Sequence, residues 1–155
     1  MASAKTLKAK LARKKRIQPI PVAVMHSMHP YALRFEIRGL PPNANASGGS
    51  RNFWAISAER KLWIKAIDAF IAPHLPRQPL LFAKLTLSRH STISPDPDGL
   101  VGGFKSVVDA LVQCGVLVND RFENIGMPNY LWAKCKAGEG RIFVTVEEYE
   151  TIYAS

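Results

Sequence analysis

Apolar residues alternate with charged residues in one segment of this chain and recur with helical spacing in the next, and this change limits the possible folds. Leu33, Phe35 and Ile37 alternate with charged residues, as in a half-buried strand. Residues 53–71 contain no Gly or Pro and place apolar side chains near helical spacing, which predicts an amphipathic helix that ends before Pro73. A strand followed by a long helix indicates a domain of mixed α and β structure.

The later segments continue this pattern. Residues 80–88 (LLFAKLTLS) predict a buried strand, and the apolar residues from Phe104 onward predict a second helix that stops at Gly115. The stretches on either side of residues 137–140 predict a β-hairpin. The predicted fold class is α/β (α+β): a single domain over residues 33–155, with a mixed β-sheet and two principal helices.

Composition excludes several classes of protein. A chain of 155 residues with 47% hydrophobic residues suits one folded domain. No stretch approaches the roughly 20 consecutive apolar residues that span a bilayer, and the basic start leads into no signal-peptide core. Cys114 and Cys135 form no CxxC pair and are expected to be core thiols. We therefore expect a cytoplasmic protein with no membrane partner.

Positive charge is concentrated at the N-terminus. Residues 1–16 hold seven of the 21 basic residues and no acidic residue, so the other 14 nearly balance the 12 acidic residues. A basic arm on a nearly neutral body is typical of proteins that bind nucleic acid; a solubilising arm is the alternative. Residues 17–32 contain three prolines and no clear period, so we interpret residues 1–32 as a basic N-terminal arm and linker.

The aspartates of this basic protein cluster later in the chain. Asp96, Asp98, Asp109 and Asp120 fall within 25 positions. In extended backbone, Asp96 and Asp98 point to the same side, and Asp120 follows a short apolar run that could return to them. Converging carboxylates repel one another unless a cation separates them, and Mg²⁺ commonly fills this role. The alternative is that both acidic segments are plain turns.

Lys105 is the cation closest in sequence to these acids. It lies in the first turn of the second predicted helix, four residues before Asp109, so a helical ion pair is one interpretation. A cation near a helix N-terminus opposes the helix dipole, which favours a second role for Lys105 beside a phosphate.

Two predicted loops supply candidate contacts with a nucleic acid. The loop at residues 40–52 is long and rich in turn-forming residues, and its Asn45 and Arg51 could contact phosphates. Arg89 and His90 are predicted to lie in the loop that approaches Asp96.

Neither the histidines nor any short motif indicates a different metal site, a nucleotide-binding site or a catalytic nucleophile. His26 and His29 have HxxH spacing without a Glu or a third ligand, so we expect no metal there, and His74 is expected in a surface loop. The chain has no Walker motif, no GxSxG and no convincing Cys/His pair. We expect no small-molecule cofactor.

The motif DPDGL (96–100) followed by FKSVVDALVQCGVLVND (104–120) resembles the RusA-like Holliday-junction resolvases of bacteria and their phages. The family pattern is D-x-D-N-L, a lysine, D-A-L four residues later, and a glycine before a hydrophobic stretch that ends in D-D. The spacing from the lysine to the last aspartate matches without a gap. Gly99, Asn119 and an insertion within VGG (101–103) differ from the pattern. With GLPPNAN, the resemblance covers about residues 33–148.

The resemblance implies a RusA-like fold and Mg²⁺-dependent cleavage of four-way branched DNA by a homodimer, with Mn²⁺ as a possible substitute. By position, the metal ligands are Asp96, Asp98 and Asp120; these three aspartates and Lys105 are the catalytic residues, and Lys105 also contacts DNA. Asp109 is assigned to supporting the site. The alternatives are a related nuclease that cuts flaps or forks and a non-catalytic nucleic-acid-binding protein.

Overall fold

The computed structural model describes residues 19–42 and 53–149, and the strands of this part form one sheet. The strands are β1 (Ile20–Met28), β2 (Tyr31–Arg38), β3 (Ala83–Ser91), β4 (Asn129–Lys134) and β5 (Arg141–Glu148). The helices are α1 (Phe53–Ile71), α2 (Pro97–Gly103), α3 (Lys105–Gln113) and α4 (Phe122–Ile125), and a 3-10 turn at Ala72–His74 follows α1.

The sheet is mixed and has the strand order β1-β2-β5-β3-β4. Strands β3 and β4 are parallel, and every other neighbouring pair is antiparallel. A parallel pair needs a crossover connection, and here the chain between β3 and β4 runs through α2, α3 and α4. The mixed sheet and the single α+β domain confirm the predicted fold class.

The core lies between the helices and one face of the sheet. In β2 the side chains alternate, with Leu33, Phe35 and Ile37 buried while Arg34 and Arg38 are exposed. This alternation confirms the predicted strand, because side chains two residues apart share one face. Helices α1 and α3 pack against each other and cover this face with a set of fully buried side chains: Trp63, Ile67, Ile71, Val107 and Leu111.

Both principal helices lie where the apolar spacing predicts them. Helix α1 ends two residues before Pro73, and α3 is followed by Gly115, whose φ of +94° is favourable for glycine and costly for other residues. Among the described residues, no helix has the length and apolar composition needed to cross a bilayer.

The interpretation of residues 17–32 as a linker is wrong for most of this segment. Residues 20–28 form β1, which pairs along its length with β2 at the edge of the sheet. An edge strand tolerates proline, because its outer backbone groups need no partner. The pairing of β1 with β2 is irregular between Pro21 and Ala23, and Pro30 lies in the turn before β2. The folded domain therefore includes residues before 33.

The predicted hairpin between the last two strands is also wrong. Strand β3 lies between β4 and β5, so these two strands are not neighbours. The turn that suggested the hairpin is present, with Gly138 at a φ of +82° and Glu139 N–H donating to the carbonyl of Lys136. The turn residues thus mark a reversal of the chain, while burial of Leu85 and Leu87 favours an inner position for β3.

The predicted loop before Asp98 is shorter than expected, because only residues 92–96 lie outside helix and strand. Strand β3 continues to Ser91, so Arg89 and His90 are strand residues. Helix α2 begins at Pro97, earlier than the predicted second helix. Proline is favoured at the first helical position because it has no N–H to leave unsatisfied, and Asp96 caps the helix.

Candidate functional site

Lys105 and Asp120 meet at the N-terminal end of α3. The Nζ atom of Lys105 lies 3.5 Å from Oδ1 of Asp109 and 4.0 Å from Oδ2 of Asp120. The first contact confirms the helical ion pair expected from the spacing of four residues. The second joins residues 15 positions apart and depends on the path of the chain after α3.

Backbone hydrogen bonds define that path. After the turn at Gly115, the N–H of Leu80 donates to the carbonyl of Val116, and the N–H of Val118 donates to the carbonyl of Leu80. Leu117 is buried, so this stretch is held against the core. The chain then returns towards the start of α3, where the side chain of Asn119 accepts from the N–H of Asp120 at 2.8 Å.

An open cavity of about 290 Å³ adjoins these two charged residues. Phe104 and Tyr130 line its apolar wall, while Lys105 and Asp120 supply its charges. The side chains of Lys105 and Asp120 are 55% and 40% exposed, so both can be reached from solvent. Burial raises the pKa of Tyr130, which therefore stays a neutral hydrogen-bond donor at physiological pH.

Asp96 is a helix cap in this structure. Its Oδ1 accepts a hydrogen bond from the N–H of Gly99 at 2.7 Å, and Asp98 lies in the first turn of α2. Asp96 and Asp98 do not lie in extended backbone as predicted, because Pro97 and Asp98 are already helical. Carboxylates are favourable at this end of a helix, where the backbone N–H groups are unpaired.

The three aspartates of the motif are not gathered into one site. Within residues 19–42 and 53–149, no group of three or more His, Cys, Asp or Glu side chains is placed to hold a metal ion. Carboxylate oxygens have the right chemistry for Mg²⁺, which binds hard oxygen donors. The arrangement of Asp96, Asp98 and Asp120 does not fit a shared three-carboxylate site, and Asp120 instead faces the ammonium of Lys105.

Arg89 lies under helix α2 rather than in a loop. A Cβ atom at Gly103 would lie 3.4 Å from Nη1 of Arg89, an ordinary van der Waals distance, so the guanidinium lies next to this end of α2. The Nε of Arg89 is buried without a hydrogen-bond partner, and burial lowers the pKa of this side chain. A desolvated cation of this kind attracts an anion. Arg89 remains a candidate DNA contact on this ground.

A hydrogen bond that no local sequence pattern predicts holds the segment between β3 and α2. Nε1 of Trp132 donates to Oγ of Ser91 at 2.9 Å, and that hydroxyl donates to the carbonyl of Ile93 at 2.8 Å. The bond depends on the parallel pairing of β3 with β4, which no local pattern indicates. It fixes the chain a few residues before Asp96.

A second groove runs between α1 and α3, and Asp109, the helical partner of Lys105, is one of its lining residues. Its volume is about 580 Å³, and it is lined by three basic residues of α1: Arg60, Lys61 and Lys65. Their groove shares Asp109 with the Lys105 ion pair, which places basic side chains beside the candidate site.

Two candidate DNA contacts lie outside the described residues. Asn45 and Arg51 fall in the segment 43–52, and the basic arm at residues 1–16 falls before residue 19. Their roles stay predictions.

No family model and no curated protein matches this chain. The resemblance of residues 96–120 to the RusA-like resolvases therefore stays a prediction that rests on the motif.

Proposed function

We propose that this chain is a Mg²⁺-dependent endonuclease that resolves Holliday junctions by symmetric hydrolysis of phosphodiester bonds. The observation that carries the proposal is the contact between Lys105 and Asp120, with Nζ and Oδ2 4.0 Å apart. These residues are the lysine and the last aspartate of the resolvase-like motif. Their meeting at an open cavity is what a shared catalytic role requires.

Lys105 has the chemistry to assist phosphodiester hydrolysis. Water attacks phosphorus, a P–O bond to the leaving oxygen breaks, and negative charge develops on the phosphoryl oxygens during the reaction. An exposed ammonium beside that phosphate offsets this charge, and Asp109 and Asp120 hold the ammonium in place. The requirement for Mg²⁺ rests on the resemblance and on the oxygen donors of Asp96, Asp98 and Asp120. No step is assigned to the ion, because the structure does not gather these donors.

Several basic residues support DNA as the substrate. Arg89 presents a half-buried guanidinium, and the α1 groove presents further basic side chains beside Asp109. The basic arm adds a sequence-independent attraction to phosphates. We propose that the protein works in the cytoplasm as a homodimer, whose twofold symmetry suits paired cuts in a four-way junction. Sedimentation of the purified chain tests the dimer.

The test of function uses an end-labelled four-way junction, a matched linear duplex, a flap and a fork. Each is incubated with the full chain in Mg²⁺, in Mn²⁺ and in EDTA. We expect paired, symmetric nicks in the junction that depend on the metal. Asp98→Asn, Asp120→Asn and Lys105→Met should reduce cleavage by at least about 100-fold, the scale on which single catalytic groups act, while junction binding is retained.

Glu139→Gln and Lys136→Met are matched controls, because both residues are exposed in the turn before β5. They should cut like the unmodified chain. Preferential cutting of flaps or forks would keep the nuclease and change its substrate. Junction binding without cleavage in either metal would overturn the nuclease proposal.

A non-catalytic nucleic-acid-binding protein is the second candidate function. The separation of the three aspartates favours it, since a binding protein needs no shared carboxylate site. It predicts tight, salt-sensitive junction binding that is unchanged by Asp98→Asn and Asp120→Asn. The cleavage assay above distinguishes the two candidates.

A further inference from the structure

Two histidines from distant parts of the chain face each other at the edge of the domain. His26 lies on β1, and His74 ends the 3-10 turn after α1, 48 residues later. Their Nδ1 atoms are 2.9 Å apart, their ring centroids are 4.8 Å apart, and their planes are tilted by 56°. The pair is solvent-exposed. The ring that His26 contacts is that of His74, and not the HxxH neighbour His29.

The backbone segments that carry the two imidazoles are held in place independently of the contact between the rings. His26 is opposite Leu33 in the β1–β2 ladder. The carbonyl of His74 accepts a hydrogen bond of 2.6 Å from the hydroxyl of Tyr31, a buried residue of β2. The two Nδ1 atoms are therefore brought together by the fold, which reduces the ordering that a shared ligand would require.

The separation of the two nitrogens suits two kinds of contact. One is a hydrogen bond, in which one Nδ1 is protonated and donates to the other. The other is joint binding of a metal ion: at metal–nitrogen distances of about 2.0–2.1 Å, two imidazole nitrogens lie roughly 2.9 Å apart at a right angle and roughly 3.3 Å apart at the tetrahedral angle of Zn²⁺. The pair therefore reaches the tetrahedral separation by opening about 0.4 Å. Imidazole prefers Zn²⁺, Cu²⁺ and Ni²⁺, whereas Mg²⁺ prefers oxygen ligands.

We propose that His26 and His74 form a site for a divalent transition-metal ion of the zinc type. The described residues supply no third His, Cys, Asp or Glu to this pair, so water completes the coordination. A bound ion would join the edge strand β1 to the end of α1. This site is separate from the acidic motif and does not depend on the proposed nuclease function.

The test measures Zn²⁺ binding to the tag-free full chain by titration calorimetry, with Mg²⁺ in excess to occupy oxygen sites. The Cys114→Ala, Cys135→Ser background removes the two half-exposed thiols, because thiolate is a ligand that zinc favours. We expect one Zn²⁺ per chain and a higher midpoint of thermal unfolding in Zn²⁺ than in EDTA, because the ion binds the folded state. His26→Gln and His74→Gln should each weaken binding by at least about 10-fold and abolish the thermal shift.

His29→Gln and His90→Gln are the matched controls, since His29 lies beside the same hairpin turn and His90 lies on β3. Both should bind Zn²⁺ like the background protein. Thermal unfolding in EDTA shows that each variant folds. Equal Zn²⁺ binding by the background, His26→Gln and His74→Gln proteins would overturn the proposal, as would no binding of Zn²⁺ at all; either result would leave the pair as a hydrogen bond.

Discussion

Asp96 stabilises helix α2 whatever its part in chemistry. Its carboxylate accepts from the N–H of Gly99, one of the donors that the first turn of a helix leaves unpaired. Lys105 likewise has two partners, Asp109 within its own helix and Asp120 from the returning chain. Ion pairs this exposed contribute little to stability, so stability measurements are a fair control when these charges are changed.

Two substitutions at Asp96 separate capping from catalysis. Asn caps a helix about as well as Asp, whereas Ala loses about 1 kcal/mol of stability. Asp96→Ala should therefore lower the free energy of unfolding by about that amount, and Asp96→Asn should leave it nearly unchanged. If Asp96 also serves in cleavage, Asp96→Asn should lose cutting. Urea unfolding and the junction assay check the two effects; equal stability of the two variants would contradict the cap.

Arg89 shows how one residue can belong to the fold and to a candidate site together. Its Nε is buried without a partner, which is costly unless an anion compensates. Its guanidinium lies next to Gly103 at the C-terminal end of α2. A loop residue, as predicted from the neighbouring prolines, would have carried no such cost.

At the scale of elements, β1 decides where the domain begins. It covers the outer edge of β2, whose backbone groups would otherwise be open to pairing with another chain. Pro19 precedes the first residue of β1, Pro21 lies at its irregular register, and Pro30 lies in the turn that follows it, so these prolines do not indicate a linker.

Two truncations test this boundary. Removing residues 1–16 should leave the thermal unfolding midpoint nearly unchanged and weaken junction binding. The slope of the logarithm of the binding constant against the logarithm of the salt concentration should become shallower by up to about six, because fewer counterions are released. Removing residues 1–32 deletes β1 and also Tyr31 and Ala32 of β2, so we expect aggregation or a large loss of stability from the open sheet edge and from the lost core contacts of Tyr31. Circular dichroism and binding at several salt concentrations check both. A stable, soluble chain lacking residues 1–32 would show that β1 is dispensable.

At the scale of the whole molecule, the helices and one sheet face enclose a single core. Tyr31 and Cys114 lie at its margin, and burial is the main cause of a raised pKa for both groups. Burial raises the pKa of Tyr31 from 10.0 to about 12 and that of Cys114 from 9.0 to about 11. Both side chains are therefore neutral in the folded protein at neutral pH.

These shifts predict a loss of stability in alkali. A group with a higher pKa in the folded state stabilises the protein fully below its unfolded pKa, and this contribution is lost as the pH rises through the folded value. The free energy of unfolding should hold up to about pH 9 and then fall towards pH 12. Urea unfolding across this range measures the decline. Cys114→Ala should remove the part that begins near pH 9, and an unchanged decline in this variant would contradict the assignment.

Local patterns in the sequence determined the elements themselves. The alternation in β2, the helical spacing in α1 and α3, and the stop at Gly115 follow from neighbouring residues, because each element's buried face repeats with its own period. The acidic motif is local in the same sense. The predictions at Pro97 and β1 are wrong because proline, which is common in loops, is also tolerated at the first position of a helix and in an edge strand.

Only the tertiary structure decided which elements meet. Strand β3 separates β4 from β5, Asp120 returns to Lys105, and His26 meets His74 across 48 residues. These contacts depend on how the whole chain buries its apolar faces in one core, and no short window of sequence encodes strand order or the path of a connection. Segment by segment, the amino-acid sequence determined helices, strands and candidate chemistry, while packing selected the pairs of side chains that can act together.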